Sequence, residues 1–350
     1  MTRCVPIIRY LQGLGHALTI ACNDRQRTFI EETFDAIDII HLEGYEVRYG
    51  KTEKGLPFLM LSQLPALFRK IRSEHEWLLR TADKMHLDGI ISDNRYGLYH
   101  PHIPSVIMTH QLEIQTGMGD AMNKLLQKVH YKFLNRFNNI WVPDLQGEIN
   151  LAGKLSHSES LPVGTCYLGL LSQFELPQSI PPAKQGDTNV PLLILLSGTE
   201  PQRSILSKKL WQQVQDYSSE VNFVEGSTNV VSPETIPSHI TYHKQLAGKE
   251  LLQVLQDAGI VISRSGYSTL MDLVLLKKKA IIIPTPGQTE QEYLGRHLHE
   301  LGIFYSASQK DFNLKQALKE TMHFPFKNFE MEEAFSGYKK VLDDWLRTLA

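Results

Sequence analysis

Residues 259–272 read GIVISRSGYSTLMD. The first five, GIVIS, are short, apolar and β-branched, the pattern of a strand buried on both faces of a parallel sheet. From 267 to 276 the apolar spacing becomes helical. The turn between them, Ser263-Arg264-Ser265-Gly266-Tyr267-Ser268-Thr269, is small and rich in hydroxyls. A strand running through such a turn into a helix presents free backbone N–H groups and the positive end of the helix dipole, which suits a phosphate or diphosphate. Arg264 adds charge, and Ser265, Ser268 and Thr269 add hydroxyl donors. Asp272 falls two turns from the helix start, where a carboxylate suits sugar hydroxyls better than phosphate. Helix capping alone explains the serines and the glycine equally well, but not Arg264.

The same order repeats on both sides of this unit. Strands are expected at 191–196, 221–225, 239–242 and 280–283, with helices at about 202–217 and 249–257. Upstream, a helix over 3–12 precedes strands at 17–22, 37–41, 88–92, 104–109 and 139–143, with helices at about 64–83 and 119–137. Alternation of this kind predicts an α/β fold of two Rossmann-like, doubly wound domains facing a cleft. Residues 176–190 (LPQSIPPAKQGDTNV) read as a linker. The division expected is 1–175, linker, 191–329, and a C-terminal helix in 330–350 packing back on the first domain.

Ligands in open α/β sheets bind beyond the carboxyl ends of the strands. After the strand at 191–196 comes Ser197-Gly198-Thr199-Glu200-Pro201-Gln202-Arg203, a second anion-site candidate through Ser197, the Gly198 and Thr199 amides and Arg203. A loop capped by Ser197 or Thr199 is the plainer explanation. After 280–283 comes Pro284-Thr285-Pro286-Gly287-Gln288-Thr289-Glu290-Gln291-Glu292-Tyr293. Gly287 makes a rigid turn, and Gln288, Gln291 and Glu292 are residue types that read sugar hydroxyls, although acidic residues also favour any helix start. In the first half, Ser92-Asp93-Asn94-Arg95 and Thr109-His110-Gln111 follow strands. Asp93 and His110 are the candidates for a general base; Asp93 alternatively orients an imidazole or starts a turn, and a lone loop histidine is often simply polar. Asn94, Arg95 and Gln111 then lie on the acceptor side. Gly13-Leu14-Gly15-His16 precedes a strand, so it terminates a helix and is not a phosphate loop.

The 36 basic and 38 acidic residues nearly cancel, which argues against a nucleic-acid protein held by bulk charge. Cys4, Cys22 and Cys166 are too far apart for a disulfide framework or zinc site and suit a reducing cytoplasm. No apolar run reaches the roughly 18–20 residues of a membrane span. The helix at 64–80 mixes Leu, Phe and Trp with Arg69, Lys70, Arg72 and Arg80, and that at 119–137 sets Lys124, Lys128, Lys132 and Arg136 beside Met, Leu and Phe. They fit either solvated faces of core helices or peripheral contact with the inner face of a membrane.

Taken together, the loops at 263–272 and 284–293 resemble the donor-binding half of glycosyltransferase family 28. The loops at 197–203, 92–95 and 109–111 are similar to a bacterial branch of it. The resemblance implies a GT-B fold and inverting, metal-independent transfer of a hexose or N-acetylhexosamine from a nucleotide diphosphate sugar, UDP in most members, to an acceptor hydroxyl, lipid-linked or of the cell envelope in some. It implies that Ser263 to Thr269 hold the diphosphate, Asp272 the ribose, and Gln291 and Glu292 the sugar, with no cofactor and no metal. The family's first strand and its glycine-rich Gly-x-Gly-His loop have no counterpart, so ALTIAC (17–22) and DGIIS (88–92) are expected to lack a shared partner and the natural protein to begin further upstream. A nucleotide-sugar epimerase of the same fold, or a nucleotide-sugar-binding protein without catalysis, are the alternatives.

Overall fold

The computed structural model describes residues 1–44, 56–115, 119–175, 190–228, 230–327 and 334–349, with the backbone alone over 56–63. The chain runs α1 (Val5–Gly13), β1 (Thr19–Cys22), α2 (Asp24–Thr33), β2 (Asp38–His41), α3 (Leu56–Met85), β3 (Ile90–Asp93), β4 (Ser105–Met108), α4 (Asp120–Leu134), β5 (Asn139–Val142) and β6 (Thr165–Tyr167). It continues with β7 (Leu192–Leu195), α5 (Gln202–Val214), β8 (Val221–Val224), β9 (Ile240–His243), α6 (Gly248–Asp257), β10 (Ile260–Ser263), α7 (Tyr267–Leu275), β11 (Ala280–Ile282), α8 (Thr289–Glu300), β12 (Tyr305–Ser306), α9 (Leu314–Thr321) and α10 (Gly337–Leu346). The expected α/β class is borne out. Most of the expected linker, 176–189, lies outside the described residues.

All strand pairs are parallel. The second half forms a six-stranded sheet in the order β12-β11-β10-β7-β8-β9. From β7 the chain winds outward through β8 and β9, then returns to β10 on the other side of β7. The winding direction therefore reverses between β7 and β10, and the loops after these two strands border the crevice where doubly wound sheets take their ligands. Strand registers place alternate side chains in two cores. Leu193, Val261 and Ile282 face α7 and α8, while Ile194, Ile262 and Ile281 face Leu206 and Leu210 of α5 and Leu318 of α9. Burial on both faces explains the continuous apolar runs.

In the first half, β3-β4-β5-β6 form one sheet and β1-β2 a separate one. Among the described residues β1 pairs with β2 and β3 with β4; the two do not pair with each other. Helix α1 spans both pieces: Val5 and Ile8 pack on the β1-β2 side with Ile30 and Phe34 of α2, and Ile7 and Leu11 pack with Val106, Met108 and Trp141. Helix α10 lies against this half. Trp345 meets Trp141 edge-on at 5.5 Å, the Tyr10 hydroxyl donates to Asp343 at 2.7 Å, and a Cβ on Gly89 would fall 2.6 Å from the Trp345 ring.

A single apolar core continues between the halves. Leu168, Leu170 and Leu171, just beyond β6, share it with Leu270, Met271 and Val274 of α7. This contact sets how the loops beyond β3 and β4 face those beyond β10 and β11.

Candidate cleft site

Helix α7 starts at Tyr267 with Gly266 as N-cap and no side chain capping it. Gly266 has φ −74°, which any residue adopts, and a Cβ built there meets nothing within 4 Å. Neither conformation nor packing requires glycine at this point. Its effect is to leave the amides of the first turn uncovered, where their N–H groups and the helix dipole favour an anion. Ser268 and Thr269 beside it are half-buried.

The flanking side chains are used to hold loops together. The Ser265 hydroxyl donates to the Gln291 carbonyl at 2.9 Å. The Ser263 hydroxyl donates to the Arg264 carbonyl at 3.1 Å. Arg264 is 1% exposed, and its guanidinium donates to the carbonyls of Ile283 and Pro284 at 3.2 Å and of Gln202 at 2.8 Å. Burial without a carboxylate partner pushes it down to about 10. Arg264 thus joins the three loops beyond β7, β10 and β11. Arg203 is also buried; it donates to Glu225 Oε1 and to the Glu225 carbonyl at 2.9 Å and pairs with Glu200. Ser197, Gly198 and Thr199 form the exposed tip of their loop, with Gly198 at φ +101°.

In the loop after β11, Gln291 and Glu292 fold back on their own turn. Gln291 Oε1 accepts from the Thr285 amide at 2.9 Å and Glu292 Oε1 from the Gly287 amide at 2.8 Å. The Gln288 amide donates to the Thr285 carbonyl at 3.1 Å. Asp272 is buried and accepts from the Ser172 hydroxyl at 2.6 Å, the Gln173 amide at 3.2 Å and Gln173 Nε2 at 2.7 Å. Burial pushes its carboxyl up to about 6 against the pull of these three donors.

Facing α7 across the cleft are Asp93 and His110, at the ends of β3 and β4. Arg3, in the short 3-10 turn Thr2–Cys4 before α1, stands on both: Nε donates to Asp93 Oδ1 at 2.7 Å and Nη1 reaches His110 Nδ1 at 3.1 Å. Burial alone would raise the Asp93 carboxyl, but the Arg3 charge, the Met1 ammonium at 3.2 Å and the hydrogen bonds from Arg3 and the Cys4 thiol outweigh it and hold it well below the usual range. A guanidinium has no acceptor, so Nδ1 of His110 is the accepting nitrogen and its proton sits on Nε2. Nε2 lies 2.9 Å from Glu290 Oε1, at the start of α8. Gln111 Nε2 donates to Glu290 Oε2. The His110 ring stacks flat on Tyr267, centroids 4.1 Å apart at 2°, and the Tyr267 hydroxyl donates to the Pro143 carbonyl at 2.9 Å. Two more bonds cross between the halves, Thr289 hydroxyl to Gln115 carbonyl at 2.9 Å and Lys154 amide to Tyr293 hydroxyl at 2.8 Å.

The fold therefore brings Asp93, His110, Gln111, Tyr267 and the 288–292 turn to one cleft. Arg95 is elsewhere: its guanidinium is turned onto α3, pairing with Glu74. Asn94 takes φ +57°, and its Oδ1 is buried without a hydrogen-bond partner among the described residues. Arg3 and Glu290 are the residues that sequence reasoning missed. Their contacts to His110 span 107 and 180 residues, and no local pattern encodes either.

Residues 207–344 match the glycosyltransferase family 28 C-terminal domain. A UDP-N-acetylglucosamine–N-acetylmuramyl-(pentapeptide) pyrophosphoryl-undecaprenol N-acetylglucosamine transferase from Gloeothece citriformis is 33% identical over 99 residues, 27% of this chain and 26% of that protein. The match thus spans about a quarter of that curated relative. The crystal structure of the glycotransferase of kitacinnamycin superposes with a TM-score of 0.63 at 13% identity, covering 99% of this chain and 92% of that one. MurG from Acinetobacter baumannii superposes with 0.54 at 12% identity, covering 99% and 95%. At these identities the likeness is one of fold, the two-domain GT-B arrangement. Residues 207–344 are thus those of a glycosyltransferase family 28 C-terminal domain, within a chain of GT-B fold, and the loops at 263–272 and 284–293 that carried the resemblance lie inside that match.

Proposed function

We propose that the protein transfers a hexose or N-acetylhexosamine from a nucleotide diphosphate sugar, UDP first among candidates, to an acceptor hydroxyl with inversion and without a metal. The observation that carries this is Gly266. It is a glycine that the fold does not need, at the uncapped start of a helix on the ligand edge of the sheet, within the family 28 match. In doubly wound nucleotide sites a glycine at this point lets the backbone approach a pyrophosphate. The relative's name, with its UDP-N-acetylglucosamine donor and undecaprenol-linked acceptor, supports the donor class and a lipid-linked acceptor.

In the proposed reaction the acceptor oxygen bonds to the anomeric carbon as the bond from that carbon to the diphosphate breaks. Charge gathers on the leaving diphosphate, where the amides of residues 266–269 meet it without reorganising. Because Arg264 and Arg203 are held by carbonyls and carboxylates, their part is to position these loops and contribute a diffuse positive field. Gln288, Gln291 and Glu292 border the sugar position, and Asp272 stands in the place proposed for ribose recognition. Residues 1–175 would take the acceptor and 191–329 the donor. Acceptor deprotonation is assigned to the Asp93–His110 pair, which requires Arg3 to withdraw from His110 Nδ1.

That requirement favours a second reading, a nucleotide-sugar-binding protein without transfer, since Arg3 occupies both candidate bases in the arrangement described. Incubating the protein with radiolabelled UDP-N-acetylglucosamine and a lipid-linked acceptor separates the two. Label in the lipid fraction supports transfer; UDP binding with no label transferred and no UDP released supports the binder; failure to bind any nucleotide sugar removes both.

Membrane contact is proposed through α3 and α4. Phe68 and Phe133 stack at 5.7 Å between the two helices; Arg69 and Arg72 of α3 are exposed, as are Leu125, Lys124, Lys128 and Lys132 of α4 and Arg136 just beyond it. Such a surface fits an anionic bilayer. Among the described residues no helix is long and apolar enough to cross a membrane.

A further inference from the structure

Two side-chain donors from one loop, His110 Nε2–H and Gln111 Nε2–H, converge on the two oxygens of a single carboxylate, Glu290, which reaches them from the opposite half of the molecule. The pair is built to donate. Arg3 behind the ring fixes the proton on Nε2, Tyr267 holds the ring flat, and His130 Nε2 anchors the Gln111 carbonyl at 2.8 Å. His110 is 7% exposed, whereas the Glu290 side chain is one-third exposed. Glu290 also adjoins the anion-seeking turn, since Gln291 accepts from Ser265 next to Gly266. A carboxylate there repels an entering diphosphate while it occupies donors that a diphosphate can use.

We propose that His110 and Gln111 form an oxyanion-binding pair on the N-terminal side of the cleft, which Glu290 occupies in the arrangement described and which a phosphate oxygen of the ligand takes over. Glu290 is then an internal competitor that ties the halves together, and exchange of one anion for the other couples ligand entry to cleft opening. His110 contributes a hydrogen bond in this state. The inference rests on the nucleotide-sugar reading only for the source of the phosphate, which belongs either to the donor or to a lipid-linked acceptor.

Calorimetry on the full chain with three probes tests it: inorganic pyrophosphate, UDP for the donor side, and decyl phosphate for the acceptor side. Glu290→Ala is expected to tighten at least one of them by roughly 3–10-fold, because the competing anion is gone. The gain should disappear when His110→Asn or Gln111→Ala is added. The inference is overturned if Glu290→Ala tightens none of the three, or if the gain survives both second substitutions. Should pyrophosphate or decyl phosphate show the gain while UDP binds no variant, the oxyanion pair stands and the UDP reading falls. Should UDP bind every variant equally with no gain for the other probes, the UDP reading stands and the pair falls. Long-range proton–nitrogen NMR on the wild-type chain gives an independent check: a neutral His110 protonated on Nε2 is expected, and protonation on Nδ1 would contradict it.

Discussion

Asp272 shows how burial and hydrogen bonding contend at one carboxyl. Three donors favour its charge, yet burial leaves it at about 6 against an ordinary 3.8. A folded-state value above the unfolded one means that the native protein binds the proton more tightly. This contribution is therefore fully present below about pH 4 and is lost as pH rises through 6, by about 2–3 kcal/mol. Urea unfolding at pH 4.5, 5.5 and 7 should show the wild type losing this increment relative to Asp272→Asn; parallel curves would contradict it. Asp93 has the opposite sign, since its depressed value makes the contribution present above about pH 4 and lost on acidification. Residue types at the ends of strands were legible from the sequence because a strand–turn–helix junction has local signals. What each side chain does was less so. Arg264 looked like a charge for phosphate, and only the fold shows its three carbonyl partners.

The elements follow local physics closely. Helix α2 escaped the sequence reading although its start is written in Asn23 and Gln26, whose side chains and backbone amides bond reciprocally as a capping box. Strand β6, with three residues, and β12, with two, are too short to carry a period and exist because a neighbouring strand pairs with them. A tail helix against the first half was expected from the sequence, but the residues it docks on were not. That site is specific: Trp345 fills the space left by Gly89 and meets Trp141, and its Nε1 has no hydrogen-bond partner among the described residues, so its contribution there is packing. Trp345→Ala is expected to cost about 3–5 kcal/mol in urea unfolding; a loss below about 1 kcal/mol would mean that α10 is not integral to the first half. Helix α4 carries a separate prediction. Reversing Lys124, Lys128 and Lys132 to Glu should abolish co-sedimentation with anionic vesicles, at roughly 1 kcal/mol per removed charge before repulsion is counted. If neither protein sediments with vesicles, the membrane surface is not one.

At the scale of the molecule, two α/β halves share an apolar core and close a polar cleft between their strand ends. In the proposed function this cleft takes a nucleoside diphosphate on the amides at the start of α7. Gly266→Ala isolates it, because the backbone there accommodates alanine and a Cβ has open space. The substitution should leave thermal unfolding within about 1–2 °C of wild type, as surface changes within ±0.5 kcal/mol do. It places a methyl group over the amides that would face the diphosphate. The deciding measurement is isothermal titration of UDP into the wild type and Gly266→Ala. One site is expected on the wild type, weakened about tenfold or more, roughly 1.4 kcal/mol, in the variant. No UDP binding to the wild type, or equal affinity in the two proteins, would contradict it.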